Sequence, residues 1–168
     1  MSARTGRECS NCGAAAKVAR GTYRFTESGL KNVYLAGLEV IRCPKCKNVD
    51  PMIPNMRGLL QFLALAVVEK PWRLSGEEIR YLRKYLRMTG EQFASHLGVD
   101  KTTLSKWEND RDPVGEPSDR LIRAVTLTMG EGLKASIEEI VRKFPEIGGA
   151  LRACRYNIDT KTQHVEYA

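Results

Sequence analysis

Residues 88–109 read MTGEQFASHLGVDKTTLSKWEN, and the short connection within them is the most informative feature of the sequence. Its apolar positions and capping signals predict two short helices, near 90–97 and 101–109. Only three residues separate these helices, and the first of them is Gly98. Glycine can take the positive φ that ends one helix and turns the chain sharply into the next. The pattern therefore predicts a helix-turn-helix, whose second helix is the one presented to the major groove of DNA.

Residues that cap helix N-termini mark the starts of three successive helices. Ser75 with Glu78 forms a capping box, and Thr89 with Gln92 forms a second one. Asp100 is a suitable N-cap for the third helix. The sequence thus predicts helices near 76–87, 90–97 and 101–109.

The surface of the third helix that would face DNA follows from its apolar positions. Leu104 and Trp107 turn towards the core, so the opposite face carries the candidate base-reading residues. These are Lys101, Thr102, Ser105 and Lys106. Lysine can donate to guanine O6 and N7, and the threonine methyl group can contact the thymine methyl group. The alternative is that these are ordinary solvated side chains, which the helix-turn-helix context disfavours.

Candidate phosphate contacts flank this reading face at both ends. They are Thr89, Gln92, Asn109 and Arg111. The preceding helix also carries a basic stripe at spacings of three and four, made of Arg80, Arg83, Lys84 and Arg87. The stripe could bind phosphates, or it could be a solvated face paired with acids such as Glu77, and the sequence leaves both readings open. His96 is interpreted as a partly exposed surface residue.

Four of the five cysteines form two C-x-x-C units, Cys9 with Cys12 and Cys43 with Cys46, with thirty residues between them. Each two-residue turn can direct two thiolates at one ion, and two turns complete the tetrahedral ligand set of a closed zinc site. The sequence therefore predicts one structural Zn²⁺ per chain. A redox pair of thioredoxin type is the alternative, but a single C-x-x-C would suffice for it. Cys154 is interpreted as a half-buried free thiol.

The expected fold is mainly α with a small β-containing zinc-binding lobe. The lobe spans 1–55, with short strands over 17–26 and 39–42, and it has so few large apolar side chains that metal binding must help it to fold. An apolar linker helix follows within 56–74, and a helix without a polar face must be covered by both lobes or by a second copy of the chain. The remaining segments are a five-helix helix-turn-helix domain over 75–147 and a tail over 148–168 that suggests a hairpin.

Two apolar stripes at helical spacing follow the helix-turn-helix, and they predict core positions without any sign of chemistry. The first stripe contains Leu121, Ile122, Val125 and Met129, and the second contains Leu133, Ile137, Ile140, Val141 and Phe144.

The composition agrees with a globular protein that can bind a polyanion. The chain has 168 residues, of which 42% are hydrophobic and 28% charged, and its formal net charge is +7. The longest apolar run, residues 62–68, is far shorter than the roughly 20 residues that cross a bilayer, so we expect a cytoplasmic protein with no membrane partner. A reducing compartment disfavours disulfides and leaves the cysteines for metal.

Together the motifs resemble two known modules. Residues 9–13, 26–35, 43–46 and 53–55 resemble the YgiT-type zinc finger, and residues 88–109 are similar to the Xre/Cro-type helix-turn-helix. In this order they resemble the MqsA family of antitoxins and its regulator relatives, over about residues 9–130. The resemblance implies a homodimeric repressor that binds a palindromic double-stranded operator. In the antitoxin members it also implies a zinc lobe that neutralises a ribonuclease toxin.

The resemblance also bears on single positions. It places base-reading residues at Lys101, Thr102 and Lys106. Gly90 stands where the repressor family usually carries a glutamine that helps to fix a contact to the DNA backbone. Lys47 replaces a glycine that commonly follows the second cysteine pair. The first departure concerns one phosphate contact, and the second shifts a turn.

The favoured function is that of a sequence-specific repressor, an MqsA-like antitoxin that regulates its own operon. A stand-alone repressor without a toxin partner is the alternative. An enzyme is not expected, because four cysteines leave zinc no open position for water, and His96 and His164 are far apart in sequence. A thiol redox protein is the alternative of another class. The dimer surface stays open between the 57–69 helix and the C-terminal helices.

Overall fold

The structure is a computed structural model that describes residues 4–133 and 137–168. Within these residues the chain forms six strands and six α-helices, and the expected fold class, mainly α with a small β-containing lobe, is confirmed. The strands are β1 (Arg4–Glu8), β2 (Ala15–Arg24), β3 (Val33–Arg42), β4 (Val49–Met52), β5 (Tyr156–Asp159) and β6 (His164–Tyr167). The helices are α1 (Met56–Glu69), α2 (Gly76–Tyr85), α3 (Gly90–His96), α4 (Lys101–Glu108), α5 (Glu116–Met129) and α6 (Ile137–Lys143).

The contacts between residues divide the chain into two compact units. The first, which we call the sheet unit, contains residues 4–26, Lys31–Met56 and Cys154–Ala168. The second, the helical unit, contains Glu27–Leu30 and the described residues from Arg57 to Ala153. The end of the tail therefore belongs with the N-terminal strands, and α1 belongs with the helices that follow it.

The sheet unit is built around the long central strand β3. Strands β1, β2 and β3 run antiparallel, β5 pairs with the first half of β3 in parallel, and β6 pairs antiparallel with β5. Strand β4 pairs with the second half of β3 along the same edge as β5. Buried side chains alternate along β3, and the alternation shifts by one residue at Gly37, whose φ is +76°. The shift marks a β-bulge, which glycine suits because it has no Cβ.

The capping residues of the helical unit confirm the predicted helix starts. Ser75 and Glu78 form the first capping box, and Thr89 and Gln92 form the second. Asp100 accepts a hydrogen bond from the backbone N–H of Thr103, at 2.8 Å. The three helices therefore begin where these side chains satisfy N–H groups that the helix itself leaves unpaired.

Helix α1 ends on a buried polar network that joins it to α5. The Arg123 guanidinium, which is fully buried, donates to the carbonyl oxygens of Val68, Lys70 and Trp72 at 2.6 to 2.7 Å. Its Nε donates to Asp119 Oδ2 at 2.7 Å, within the same helix. Arg123 thus satisfies carbonyls at the C-terminal end of α1, where a positive charge is also favourable.

The predicted core stripes are wrong at three positions. Leu121, Met129 and Val141 are between 40% and 46% exposed. Helix α5 instead buries Asp119, Ile122, Arg123, Thr126 and Leu127, because the polar network turns that side of the helix inward. In the second stripe Ile140 is buried, and the side chain of Ile137 lies outside what the structure describes.

Candidate nucleic-acid interface and metal centre

The four candidate base-reading residues lie on the exposed side of α4. Leu104 and Trp107 are buried, as their spacing predicts, and they anchor the helix in the helical unit. The side chains of Lys101, Thr102, Ser105 and Lys106 are all exposed. The turn before α4 contains Gly98 with a φ of +66°, which is the conformation the helix-turn-helix requires. The helix therefore presents a polar and basic surface to solvent.

Lys106 already has an acidic neighbour on this surface. Its Nζ lies 3.4 Å from Asp112 Oδ2, and the two side chains are 52% and 56% exposed. An exposed ion pair of this kind contributes little to stability, about 0 to 1 kcal/mol. Lys106 can therefore exchange Asp112 for another hydrogen-bond acceptor at small cost.

The four candidate phosphate contacts are exposed, but they differ in what else they bind. Thr89 and Gln92 serve each other in the capping box, in which Gln92 Oε1 accepts from the backbone N–H of Thr89 at 2.9 Å. Asn109 Nδ2 donates to the carbonyl oxygen of Ser105 at 2.7 Å. The Arg111 side chain is exposed, and its backbone N–H donates to the Lys106 carbonyl oxygen at 2.9 Å. Asn109 is thus partly committed to ending α4.

The predicted basic stripe is divided: Arg80, Arg83 and Lys84 lie on α2, whereas Arg87 follows the end of that helix in the left-handed conformation, with a φ of +57°. Arg83 makes a bidentate salt bridge with Glu108, in which Nε donates to Oε1 at 2.6 Å and Nη2 donates to Oε2 at 3.0 Å. Arg80 Nη2 donates to the Glu108 carbonyl oxygen at 2.6 Å and to Asn109 Oδ1 at 2.9 Å. These two arginines therefore hold the end of α4 against α2. Lys84 and Arg87 are exposed.

His96 is exposed, and its Nδ1 lies 2.8 Å from the carbonyl oxygen of Gln92.

Cys154 is buried, whereas the sequence predicted a half-buried thiol. It is the first of the tail residues that belong to the sheet unit.

The two C-x-x-C units meet at one end of the sheet unit. Sγ of Cys9 and Cys46 are 3.5 Å apart, Sγ of Cys12 and Cys43 are 3.6 Å apart, and all four sulfurs lie within 4.8 Å of one another. Zinc–sulfur distances of about 2.3 Å place the sulfurs of a tetrahedral site about 3.8 Å apart. The four cysteines therefore fit a tetrahedral zinc ion, and they are the residues that could hold one.

Matching turns support the two cysteine pairs. Gly13 N–H donates to the Cys9 carbonyl oxygen at 2.9 Å, and Lys47 N–H donates to the Cys43 carbonyl oxygen at 3.1 Å. Gly13 has a φ of +68° and Lys47 a φ of +63°, so Lys47 takes the left-handed conformation that glycine adopts more readily. The turn after Cys43 therefore forms with lysine at this position.

The cysteine sulfurs shift one another's ionisation. The backbone N–H of Ala14 lowers the pKa of Cys12, but the Cys46 sulfur, burial and the two other sulfurs outweigh it and raise that pKa to about 12. Backbone N–H groups, first that of Cys46, lower the pKa of Cys43, and the pKa of Cys46 is lowered first by the N–H of Asn48. Four thiolates in so small a volume repel one another, and a divalent cation removes that penalty.

Comparison with known proteins agrees with the geometry of the helical unit. Residues 79–130 match a family described as Helix-turn-helix, which covers most of α2, all of α3, α4 and α5, and the loops between them. The match does not extend to the cysteine cluster. Searches for similar curated proteins and for similar solved structures gave no match. The chain therefore contains a helix-turn-helix domain of the kind found in DNA-binding transcription regulators.

The described residues contain no helix long and apolar enough to span a membrane.

Three charged residues of the helical unit were not predicted from the sequence to have a role. Glu108, Asp112 and Asp119 each have a basic partner in the structure. Asp119 and its partner Arg123 are four residues apart on α5, and this spacing of an acid and a base on a helix would have allowed the ion pair to be predicted from the sequence. Glu108 and Arg83 are 25 residues apart, and nothing local links them.

Proposed function

We propose that this protein is a sequence-specific transcriptional repressor that binds duplex DNA with α4 in the major groove. The observation that carries the proposal is the helix-turn-helix match over residues 79–130, together with the exposed polar face of α4. Lys101, Thr102, Ser105 and Lys106 read base edges, since lysine and threonine can address guanine and thymine there.

The DNA backbone is held from both ends of this reading face. Thr89 and Gln92 lie at the start of α3, and Gln92 can donate from its amide nitrogen because only Oε1 is used in the cap. Arg111 follows α4 with an exposed guanidinium, and Asn109 can donate to DNA in exchange for the longer of its two Nδ2 hydrogen bonds, the one to Ser105 Oγ at 3.4 Å. Such contacts set the position of the protein on DNA and carry no sequence information of their own.

The four cysteines Cys9, Cys12, Cys43 and Cys46 hold one structural Zn²⁺ in this proposal. Zinc held by these four thiolates would join the two cysteine loops, and with four protein ligands it would have no open position for a reacting water. Supporting this role, the Asp50 carboxylate accepts hydrogen bonds from Ser10 Oγ at 2.6 Å and from Asn48 Nδ2 at 2.9 Å, which ties the two cysteine loops together.

The repressor acts as a homodimer on a palindromic operator. Two helix-turn-helix units related by a two-fold axis read two half-sites about one helical turn apart, which gives both affinity and a fixed spacing. The resemblance to MqsA-type regulators supports this arrangement.

The test is selection of bound duplexes from a random pool with the zinc-loaded full chain. A palindrome is expected, and its half-site spacing would report the distance between recognition helices. Lys106→Ala should then cost about 1 to 3 kcal/mol on the selected duplex and relax the base preference. Arg111→Ala should weaken binding to selected and scrambled duplexes alike.

Two outcomes would count against this proposal. Equal losses on both duplexes for Lys106→Ala would remove Lys106 from the base-reading residues. Failure of the unmodified chain to enrich any duplex would reject the repressor itself.

We infer further, from the resemblance to the MqsA family, that the protein is an antitoxin that regulates its own operon. This role predicts that a small basic toxin is encoded beside this chain and that the two proteins form a complex through the sheet unit. The test is to express this chain together with the product of the neighbouring gene, purify the zinc-loaded chain, and ask whether the neighbour's product is purified with it. A neighbour that is unrelated or does not bind favours the stand-alone repressor.

A further inference from the structure

The positive charge of the chain is concentrated in the sheet unit. By sequence this unit carries eleven Lys/Arg against five Asp/Glu, a formal charge of +6. By sequence, segments 27–30 and 57–153 carry sixteen Lys/Arg against fifteen Asp/Glu, a formal charge of +1. Four thiolates with one Zn²⁺ add −2 and leave the sheet unit near +4. The more basic of the two units is therefore the one without the recognition helix.

Part of this charge is gathered around one aromatic ring. Arg24 on β2 lies directly opposite Tyr34 on β3, and Arg155 precedes β5, where Asn157 is paired with Tyr34. Cζ of Arg155 is 3.8 Å from the centre of the Tyr34 ring, and Cζ of Arg24 is 5.9 Å from it. Both arginines are exposed and the tyrosine is half-buried. We call Arg24, Tyr34 and Arg155 the arginine–tyrosine cluster.

The two guanidinium groups of the cluster have no acidic partner among the described residues. Arg24 Nε donates to the Lys31 carbonyl oxygen at 2.9 Å, which orients the group and leaves its terminal nitrogens as donors. The Arg155 guanidinium lies against the Tyr34 ring. The arginines of α2 and α5 contrast with these, since Arg83 and Arg123 are committed to carboxylates. A guanidinium that is held in place by a ring is preorganised to bind an anion with two hydrogen bonds.

The cluster and the cysteine site lie at opposite ends of the same strands. Cys12 precedes β2 and Cys43 follows β3, whereas Arg24 ends β2 and Tyr34 is the second residue of β3. Strands of this length extend about 30 Å. This distance exceeds the Debye length of about 8 Å at physiological salt, so the negative charge of a zinc–thiolate centre does not cancel the charge of the cluster.

We propose that the arginine–tyrosine cluster binds the phosphodiester backbone of the duplex that α4 reads, as a second DNA contact made by the sheet unit. The inference rests on the proposed function. Phosphate is favoured over a protein carboxylate because DNA offers a dense row of anions that compensates for the near-neutral charge of the helical unit. Such a contact strengthens binding to every sequence and adds nothing to base preference.

The experiment compares two double variants of the zinc-loaded full chain on the selected duplex over a series of salt concentrations. Arg24→Ala/Arg155→Ala removes the cluster, and Lys17→Ala/Lys161→Ala removes two exposed charges elsewhere on the sheet unit. Each phosphate contact contributes about 0.9 to the slope of log K against log salt. The cluster variant should lose about 2 from that slope, whereas the control should lose clearly less. The affinity of the cluster variant and that of the unmodified chain should converge near 1 M salt.

A charge-preserving variant separates electrostatics from folding. Arg24→Lys/Arg155→Lys should recover most of the slope, because lysine still contacts phosphate as a point charge. Failure of this recovery, or a deficit of the alanine variant that persists at high salt, would overturn the proposal. Equal slope changes in the cluster variant and the control would also overturn it.

The inference and the proposed function can fail separately. An unchanged slope in the cluster variant, while Lys106→Ala still discriminates between duplexes, would reject the second contact and leave the repressor in place. The cluster would then be a candidate surface for an acidic protein. A chain that enriches no duplex would reject the repressor and this inference with it.

Discussion

Lys106 and Asp112 bring opposite charges together on the surface that is proposed to meet DNA. The Nζ to Oδ2 distance is 3.4 Å, and both side chains are more than half exposed. DNA must therefore compete with Asp112 for the Lys106 ammonium group. A guanine offers two acceptors, O6 and N7, to that group and a wrong base offers fewer, so competition from the carboxylate favours correct sequences.

Asp112→Asn should tighten binding to all duplexes and lower the ratio of specific to non-specific affinity. The gain expected from releasing an exposed pair is about 0.2 to 1 kcal/mol, and it should be larger at low salt. Titration of selected and scrambled duplexes at two salt concentrations measures both effects. Glu138→Gln on α6 is the matched control, since it also removes one exposed negative charge. An equal gain in the control would mean that net charge alone is responsible.

Gly90, the first residue of α3, lies where a longer side chain has room. A Cβ built at this position meets no atom within 4 Å, and its φ is not positive. Gly90→Gln should stabilise the helix by about 0.5 to 1 kcal/mol and should also strengthen DNA binding by adding an amide donor near the phosphates.

Gly90→Ala separates the two effects, because alanine improves the helix without adding a donor. The midpoint temperature of thermal unfolding should rise in both variants, and the affinity for the duplex should rise in Gly90→Gln alone. Equal affinities of the two variants would show that position 90 does not contact the DNA backbone.

At the scale of elements, the contact between α1 and α5 depends on the charges of Arg123 and Asp119. Both are almost fully buried, and together they satisfy three carbonyl oxygens and the backbone N–H of Leu74. Lys70 and Glu78 form a second buried ion pair in the same unit. Buried pairs of this kind specify one arrangement of helices, because any other arrangement leaves a charge without a partner.

Arg123→Met should lower the free energy of unfolding by about 3 to 5 kcal/mol, since Asp119 would remain buried and charged. Chemical denaturation followed by the fluorescence of Trp72 and Trp107 measures the loss. Arg120→Met in the same helix is the comparison, because the Arg120 pair with Glu116 is partly exposed and 3.9 Å long. The comparison should cost about 1 kcal/mol or less. Similar losses for both variants would contradict the importance of the buried network.

At the scale of the whole molecule, the chain holds two units with different sources of stability. The helical unit has a core of large apolar side chains with buried ion pairs, whereas the cysteine end of the sheet unit has a small core of Cys9, Ala16 and Cys43. Small lobes of this kind gain folding free energy from bound metal.

Removal of zinc with a chelator should unfold the sheet unit and leave the helical unit folded. Both tryptophans belong to the helical unit and four of the six tyrosines to the sheet unit, so the two responses can be separated. Tyrosine signals and amide exchange of the sheet unit should change, while tryptophan fluorescence stays constant. Restored zinc should reverse the change. A simultaneous loss of the tryptophan signal would show that the helical unit depends on the metal.

Local patterns predicted the helix starts and the assembly of the cysteines. Ser75, Thr89 and Asp100 act on N–H groups two or three residues away, so their effect is visible in a short stretch of sequence. The spacing of the two C-x-x-C units predicted that they lie close together in space, because cysteines at this spacing have few uses other than metal binding.

Distant pairings were not predictable in the same way. The parallel pairing of β5 with β3 joins residues more than 120 positions apart, and two short strands carry no local signal for their partner. The exposure of Leu121 and the burial of Arg123 likewise depend on which side of α5 the carbonyls of residues 68–72 approach. Hydrophobic spacing alone favoured the wrong side, since it takes no account of a buried guanidinium.

Short stretches of sequence were enough to predict the helix-turn-helix, its caps and the turn within each cysteine pair, because each depends on backbone geometry and hydrogen bonds within a few residues. The sequence did not show which arginines are committed to carboxylates and which remain exposed around Tyr34, and the folded arrangement was needed to see it. That choice depends on distances between groups far apart in the chain, and a charge acts on its surroundings according to distance in space and not according to position in the sequence.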